Sequence, residues 1–463
     1  MSGGRSVVPP GGISVRLPLT KGRRVSEMPS DRGTPNAWFP ATMVVVLFAY
    51  FWIGLGPFPN PNAAGLLDAF GSSSNLLNQI VVVGLSALVI AVLVNHPARA
   101  LILRSYGMLA VIFCWLLFTA AFSDVPGVAL RRIVYSMLVC LCASSLLLMP
   151  RTSEEFAKLM GACVLGAVLL SFLGVIAIPR LAIHQGSDAL EQQLAGAWRG
   201  HFGHRNVAAA AMVFAVFFGM FVMKTRSLWM GAVTIGIAVV FLLNSGGKTS
   251  AAMLPAILLA SWLFERLGPF RLVFVLGGLA SVNYVLLTTA VSPDMHRFVA
   301  SLGVDPTFTD RASIWQLALG AISERPWLGH GFQSYWQMEA LVYGEEADSS
   351  WAVSAANAHN GYLDQVINGG FPLLAMVIVW LVIMPCHHAG LALRRGQDPD
   401  LTRMFIRCWL FMLFLSCLEN PIFDNRGPIW FTMLLAVFGL RLLAYGNLTV
   451  ARYSEGETRS PAP

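Results

Sequence analysis

The sequence predicts an all-α, polytopic membrane bundle of about twelve helices, with one long structured loop outside the bilayer. Three observations predict it. The 463 residues are 56% hydrophobic and only 12% charged, with a mean hydropathy of +0.65, a composition suited to a polytopic membrane protein and not to two or three soluble domains. The apolar residues gather into runs that approach the roughly 20 residues needed to cross a hydrocarbon core, with Lys and Arg paired at alternate run ends. One polar interval, residues 291–362, separates two groups of these runs and has a helical pattern of its own. The net charge of +7 is accounted for by membrane topology, so no nucleic-acid partner is expected. The seven cysteines lie in or beside apolar segments without a CxxC pair and read as small apolar side chains, not as a disulfide framework or zinc site.

Residues 1–36 are rich in Gly, Pro, Ser and Arg and contain no apolar run of signal-peptide length, which reads as a disordered basic cytoplasmic tail. Residues 37–290 hold nine expected spans, at 38–55, 76–95, 104–122, 130–149, 157–178, 206–223, 227–243, 249–265 and 270–290. The outer loop 291–362 follows, then three spans at 363–385, 404–420 and 428–445 within residues 363–446, and a cytoplasmic tail at 447–463. An even count places both termini on one side. The expected inside loops carry Arg99 and Arg104, Arg151 and Lys158, Lys224 and Arg226, Arg266 and Arg271, and Arg394, Arg395, Arg403 and Arg407. The loop after the first span has no cation, so the rule puts the termini inside and residues 291–362 outside.

That assignment leaves Arg131, Arg132, Arg180, Arg199, Arg205, Lys248, Arg311, Arg325 and Arg426 at or just below the outer side, against the preference. Ionisable groups near membrane depth are costly unless partnered. Outer acids such as Asp124, Asp188, Asp294, Asp310 and Asp424 are available to some of them; the excess of cations points to an anionic ligand such as a phosphate.

Three polar segments carry residues suited to chemistry. Trp198–Asn206, WRGHFGHRN, sets His201, His204 and Arg205 directly before a span, but no third ligand follows at metal-site spacing. Asn244–Ser250, NSGGKTS, places paired glycines and Lys248 ahead of a helix, a possible phosphate cradle that lacks the GxxxxGK spacing of a nucleotide loop. In the long loop, Ile314, Trp315, Leu317, Ala318, Leu319 and Ile322 form an amphipathic helix expected to be capped by Thr309 and Asp310 and closed by Pro326, Gly329 and Gly331. Arg311 stands in its first turn. His359 and Asn360 precede the next span, with Asp364 and Gln365 about a turn further on. Spacing leaves two readings of His359 open: an interfacial helix cap, or a proton acceptor suited to neutral pH. Trp315, Trp327, Tyr335, Trp336 and Tyr362 are likewise either belt aromatics or sugar-stacking surfaces.

Taken together, SGGKTS before a span, DRASIW, PWLGHGFQSYW, AHNGYLDQVINGG and the late SCLENPIF resemble the O-antigen ligase and polymerase superfamily. FGHRNVAAA and NSGGKTS are similar to its exopolysaccharide polymerases of the ExoQ type, and the likeness covers roughly residues 198–430. Many members have Ser-Arg where this chain has Gly247 and Lys248, which keeps the charge but loses the bidentate fork. The resemblance implies a GT-C-like membrane glycosyltransferase of a bacterial inner membrane, acting at the periplasmic face on undecaprenyl-diphosphate-linked saccharides. It would need no metal or other cofactor, because arginines stabilise the leaving diphosphate and the outer loops carry no DxD-like motif. Arg205, Lys248 and Arg311 would hold the diphosphate with Arg131 or Arg132 behind them, His204 beside them, and His359 acting on the acceptor hydroxyl with Asn360 and Glu419 as orienting partners. The expected reaction is inverting polymerisation of repeat units, with a flippase and a chain-length co-polymerase as possible partners. A ligase delivering glycan to lipid A core or protein is the alternative. A secondary transporter would instead require inverted repeats and half-helices broken near the midplane, and the polar residues here cluster outside.

Overall fold

The computed structural model describes residues 38–60, 62, 76–94, 96, 99–188, 192–336, 338, 341, 351–425 and 427–446. The expected tails, Arg426 and most of the acidic stretch at 342–350 lie outside the described residues. Within them the regular secondary structure is helical, apart from an isolated antiparallel bridge between Ile183 and Trp198.

A helix overlaps each expected span: α1 (Trp38–Trp52), α2 (Leu76–Val94), α3 (Gly107–Ala120), α4 (Pro126–Leu146), α5 (Ser153–Ala177), α6 (Arg205–Thr225), α7 (Leu228–Asn244), α8 (Lys248–Arg266), α9 (Arg271–Val291), α11 (Gly361–Arg395), α12 (Pro399–Leu415, which ends before the expected 404–420 does) and α13 (Pro428–Tyr445). The amphipathic helix of the long loop is α10 (Arg311–Glu324). By length and composition, 7 of the described helices are able to cross a membrane: α2, α4, α5, α6, α9, α11 and α13. Helices α1, α3 and α7 are apolar but shorter. This is a polytopic membrane bundle, with at least that set of spanning candidates among the described residues.

The bundle is organised around α6, α12 and α13, whose side chains are buried on nearly every face, whereas α2 and α9 bury few of their residues and present apolar flanks. Small residues permit the central packing. A Cβ on Gly219 of α6 would come within 2.7 Å of Ile235, and one on Gly231 of α7 within 2.5 Å of the Gly219 carbonyl. The two backbones therefore touch, which is how helices gain contact when apolar tails compete equally for apolar side chains.

Helix α11 bends at Gly369 and Gly370, just before Pro372. The bend frees backbone groups, and protein atoms reclaim them: Trp115 Nε1 donates to the Gly369 carbonyl (2.8 Å), His330 N to the Ile367 carbonyl (2.7 Å) and Phe371 N to the Pro326 carbonyl (2.9 Å). The Pro326–Gly331 turn thus seats in the kink, satisfying it from within the protein. Gly370 sits at φ 73°, and a Cβ there would lie 2.1 Å from the Trp327 carbonyl oxygen. Gly370→Ala is expected to destabilise the protein by about 2 kcal/mol or more, read as a lower unfolding temperature in detergent; an unchanged temperature would show that the turn can lift away freely.

The two ends of the bundle carry different polar groups. At one, Lys224 pairs with Asp400 (3.4 Å), Arg226 with Glu154 (3.4 Å) and Arg403 with Glu265 (3.1 Å). At the other lie the WRGHFGHRN and NSGGKTS segments, the long loop and the 416–427 connection.

Candidate functional site

Two of the three polar segments singled out above, WRGHFGHRN and the long loop, meet at one carboxylate, Glu419, in the connection after α12. Arg311 Nη2 donates to its Oε1 (2.6 Å), Asn206 Nδ2 donates to the same oxygen (2.9 Å), and His359 Nδ1 lies 3.2 Å from Oε2. These three groups come from the start of α10, the start of α6 and the residue two before α11, more than fifty positions from Glu419 in every case. The side chains of Arg311 and Glu419 are 14% and 19% exposed, whereas His359 keeps 34%. The ring is the accessible member of the cluster.

The backbone around each member is fixed locally. Gly361 N donates to the carbonyls of Ser416 (2.7 Å) and Glu419 (3.0 Å), tying the Glu419 turn to the first residue of α11. Asn360 caps that helix by accepting from Tyr362 N (3.0 Å) and Leu363 N (3.1 Å) while its Nδ2 donates to Asn283 (2.8 Å) and the Cys417 carbonyl (3.0 Å). It is fully buried, so its amide is committed to the protein and acts by position. Buried Asp364 accepts from Trp336 Nε1 (2.6 Å) and Ala358 N (3.2 Å), and Trp315 Nε1 donates to the Ala358 carbonyl (3.0 Å). Both polar groups of the residue before His359 are therefore held. His359 itself has φ 46°, with its N–H donated to Asn357 Oδ1 (2.8 Å); a left-handed backbone at a non-glycine residue persists only where its surroundings impose it.

The start of α10 departs from expectation. Phe308, Thr309 and Asp310 all have positive φ, and Asp310, at the cap position, makes no side-chain capping bond. Asp305 takes the hydrogen-bonding role instead, accepting from Thr307 N (2.9 Å) and Thr309 N (2.9 Å). This tight turn brings Arg311 inward.

Electrostatics follow the geometry. Burial pushes the Glu419 carboxyl up, but the hydrogen bond with His359, the Arg311 charge, and the charges of His359 and His204 outweigh it and hold the group at about 2. In the neutral form of His359, an ionised Glu419 favours the tautomer with Nδ1–H toward it, which leaves Nε2 with the lone pair.

The remaining expected residues take varied places. Arg205 opens α6 beside Asn206; its Nε is buried without a hydrogen-bond partner among the described residues, and its guanidinium lies against the glycine turn of NSGGKTS, 3.0 Å from a Cβ built on Gly246. Lys248, exposed at the first position of α8, makes no ion pair or hydrogen bond with its side chain among the described residues. His204 caps α6 by accepting from Asn206 N (3.1 Å). Arg131 is exposed and donates to the Gly127 carbonyl (3.4 Å), while Arg132 donates to the Gln333 carbonyl. Neither is hydrogen-bonded to Glu419.

Several outer cations have structural partners: Arg325 pairs with Asp124 (3.1 Å) and Arg199 donates to the Leu181 carbonyl (3.0 Å). His201 is buried between Ser171 (2.7 Å) and the Trp52 carbonyl (2.9 Å), where desolvation pulls its imidazole down to about 4 against the Trp52 bond. His330 is buried with Nε2 on the Ala321 carbonyl (2.9 Å). Both are framework residues. Asn206 and His184 were not among the expected site residues; His184 is buried, lies 3.3 Å from Asp188, and its ring abuts His204.

Comparison with known proteins agrees with the motifs. Residues 213–378 match the family model described as O-antigen ligase, a stretch that contains Lys248, Arg311 and His359 and stops short of Glu419. The exopolysaccharide production protein ExoQ of Rhizobium meliloti is 27% identical over 210 residues, covering 42% of this chain and 46% of that relative. The chain thus spans about half the length of the curated relative it matches. The O-antigen ligase and ExoQ-like resemblance read from the motifs is supported by both findings.

Proposed function

We propose that the protein is a membrane glycosyltransferase that polymerises saccharide repeat units carried on undecaprenyl diphosphate, acting at the end of the bundle where Glu419 gathers Arg311, His359 and Asn206. That convergence carries the reading: a fixed guanidinium and an accessible imidazole share one half-buried carboxylate in a protein that resembles the O-antigen ligases and ExoQ. The end bearing the site faces the periplasm and the termini the cytoplasm, following the paired cations at the opposite end.

In the transfer, the acceptor sugar's hydroxyl oxygen forms a bond to the donor's anomeric carbon as the bond from that carbon to the diphosphate oxygen breaks, with inversion. The hydroxyl proton passes to His359 Nε2, and undecaprenyl diphosphate departs with the bonding electrons. Arg311 commits Nη2 to Glu419, leaving the rest of its fork for a phosphate oxygen. Arg205 and Lys248, on adjoining segments, supply further positive charge. Fixed donors aimed at the departing charge lower the barrier without reorganising during the reaction.

Arg311→Ala is expected to lower turnover by about 10² to 10³-fold, as removal of one preorganised donor does elsewhere. Arg311→Lys should remain well below wild type, because an ammonium cannot hold Glu419 and a phosphate in one plane. Near-normal product from Arg311→Ala would take this residue out of the site. The decisive assay gives the purified full chain a defined undecaprenyl-diphosphate repeat unit: a ladder of lengthened lipid-linked products supports polymerisation. The family description favours a second reading, ligation, which predicts a single transfer to lipid A core and no ladder. Loss of both activities would defeat the proposal.

A further inference from the structure

At the end opposite Glu419, a cavity of about 280 Å³ opens between α8, α9, α11 and α12, lined by Glu265, Arg271, Arg394, Gly396, Pro399 and Arg403 among others. Three arginines and one glutamate thus line it. Glu265 is already satisfied, since Arg403 Nε donates to both its oxygens (3.1 Å each). The nearby acids are also engaged: Asp398 caps α12 by accepting from Leu401 N (3.2 Å), and Asp400 lies between Lys224 (3.4 Å) and Arg403 (3.7 Å).

Two arginines are left over. Arg271 is anchored by Nε to the Phe264 carbonyl (2.8 Å) and by Nη2 to the Glu265 carbonyl (3.0 Å), with its guanidinium over the Phe264 ring. These bonds leave its Nη1 beside Gly390, where a Cβ would come within 3.2 Å. Arg394 is exposed and makes no hydrogen bond or ion pair among the described residues. The same end displays exposed aromatic surface at Trp229, Trp262 and Phe270, with Arg266 stacked on Trp262, the amphipathic composition of a headgroup-level belt.

We propose that this cavity is a binding site for the phosphate of an anionic phospholipid headgroup, held by Arg271 and Arg394 with Arg403 behind them. The site is separate from the glycan-transfer centre, and the inference stands whether or not that proposed activity is correct. A phosphodiester matches the planar fork of arginine. Basic pockets between spanning helices on the cytoplasmic side are suited to such headgroups. The free phosphate ion has the same recognition chemistry, and a direct comparison separates the two.

Binding of short-chain phosphatidylglycerol, short-chain phosphatidylcholine and inorganic phosphate to the full chain in neutral detergent tests this. Phosphatidylglycerol should bind more tightly than phosphatidylcholine, and Arg394→Gln should weaken it by about fivefold, the effect of one cation near an anionic headgroup. Arg394 has no partner to lose, so this variant should fold. Arg271→Gln in addition should weaken binding further. Arg226→Gln, at the same end outside the cavity, is the control. Phosphate competing as well as the lipid would assign the site to a free anion. Equal binding of the two lipids, or equal loss in Arg226→Gln and Arg394→Gln, would overturn the proposal in favour of diffuse surface charge.

Discussion

His359→Ala is expected to lower polymer formation by about 10² to 10⁴-fold, the usual range for general acid–base assistance, with little loss of folded protein. The ring's exposure and its one hydrogen-bond partner among the described residues, Glu419, make it separable from the framework, unlike buried His201 and His330. The accompanying variant decides its role. A glutamine can still donate to Glu419 but has no basic nitrogen to accept the acceptor's proton, so His359→Gln should fail alongside alanine if the imidazole is a base. If the ring only orients the acceptor hydroxyl, glutamine should restore substantial turnover. Both are measured as product formed per folded molecule from a defined lipid-linked repeat unit. Wild-type turnover in His359→Ala would eliminate both roles.

The apolar runs were legible because each spanning helix must be apolar over most of its length, which leaves its signature in consecutive residues. Which runs are long enough to cross was less clear: α8 and α12 are helical where expected but fall outside the set that passes on length and composition. The turn before Arg311 departs from the cap pattern for a local reason. Asp and Thr ordinarily mark caps, but here Phe308–Asp310 adopt left-handed backbone held by Asp305, and nothing in residue type announces that for a phenylalanine. In the site, Arg311 and His359 stood out as polar residues in an apolar chain. Glu419 did not gain the same weight, because a lone carboxylate in SCLENPIF has no periodicity, and its importance arises from three distant segments meeting it. Asn206 lay inside the FGHRN motif, next to Arg205, and could have been found by asking which neighbour of a cation donates without charge. Arg131 and Arg132 were expected near the diphosphate on charge alone. The hydrogen bond of Arg132 to Gln333 follows from how α4 meets the long loop, which no one-dimensional pattern records.

Glu419→Gln is expected to remove most activity and to destabilise the protein by about 2 kcal/mol, because it strands the Arg311 charge at a largely buried position. The amide preserves size and one acceptor, so Asn206 can keep its bond; what disappears is the charge that holds Arg311 and selects the His359 Nδ1–H form. Restoring a carboxylate with Asp tests that attribution, since Glu419→Asp should recover stability more fully than turnover, the shorter side chain reaching one partner at the expense of another. The pH dependence gives a second, independent reading. The Glu419 carboxyl is depressed from an ordinary 4.5 to about 2 in the folded protein, so its stabilising contribution is complete above about 4.5 and is lost as pH falls toward 2. The difference in unfolding temperature between wild type and Glu419→Gln should therefore persist from neutral pH down to about 4.5, then shrink through the interval below it. Any loss of turnover above that interval belongs to another group. A difference that closes already between pH 7 and 5, or none at neutral pH, would show that Glu419 is not the ionised hub of the site.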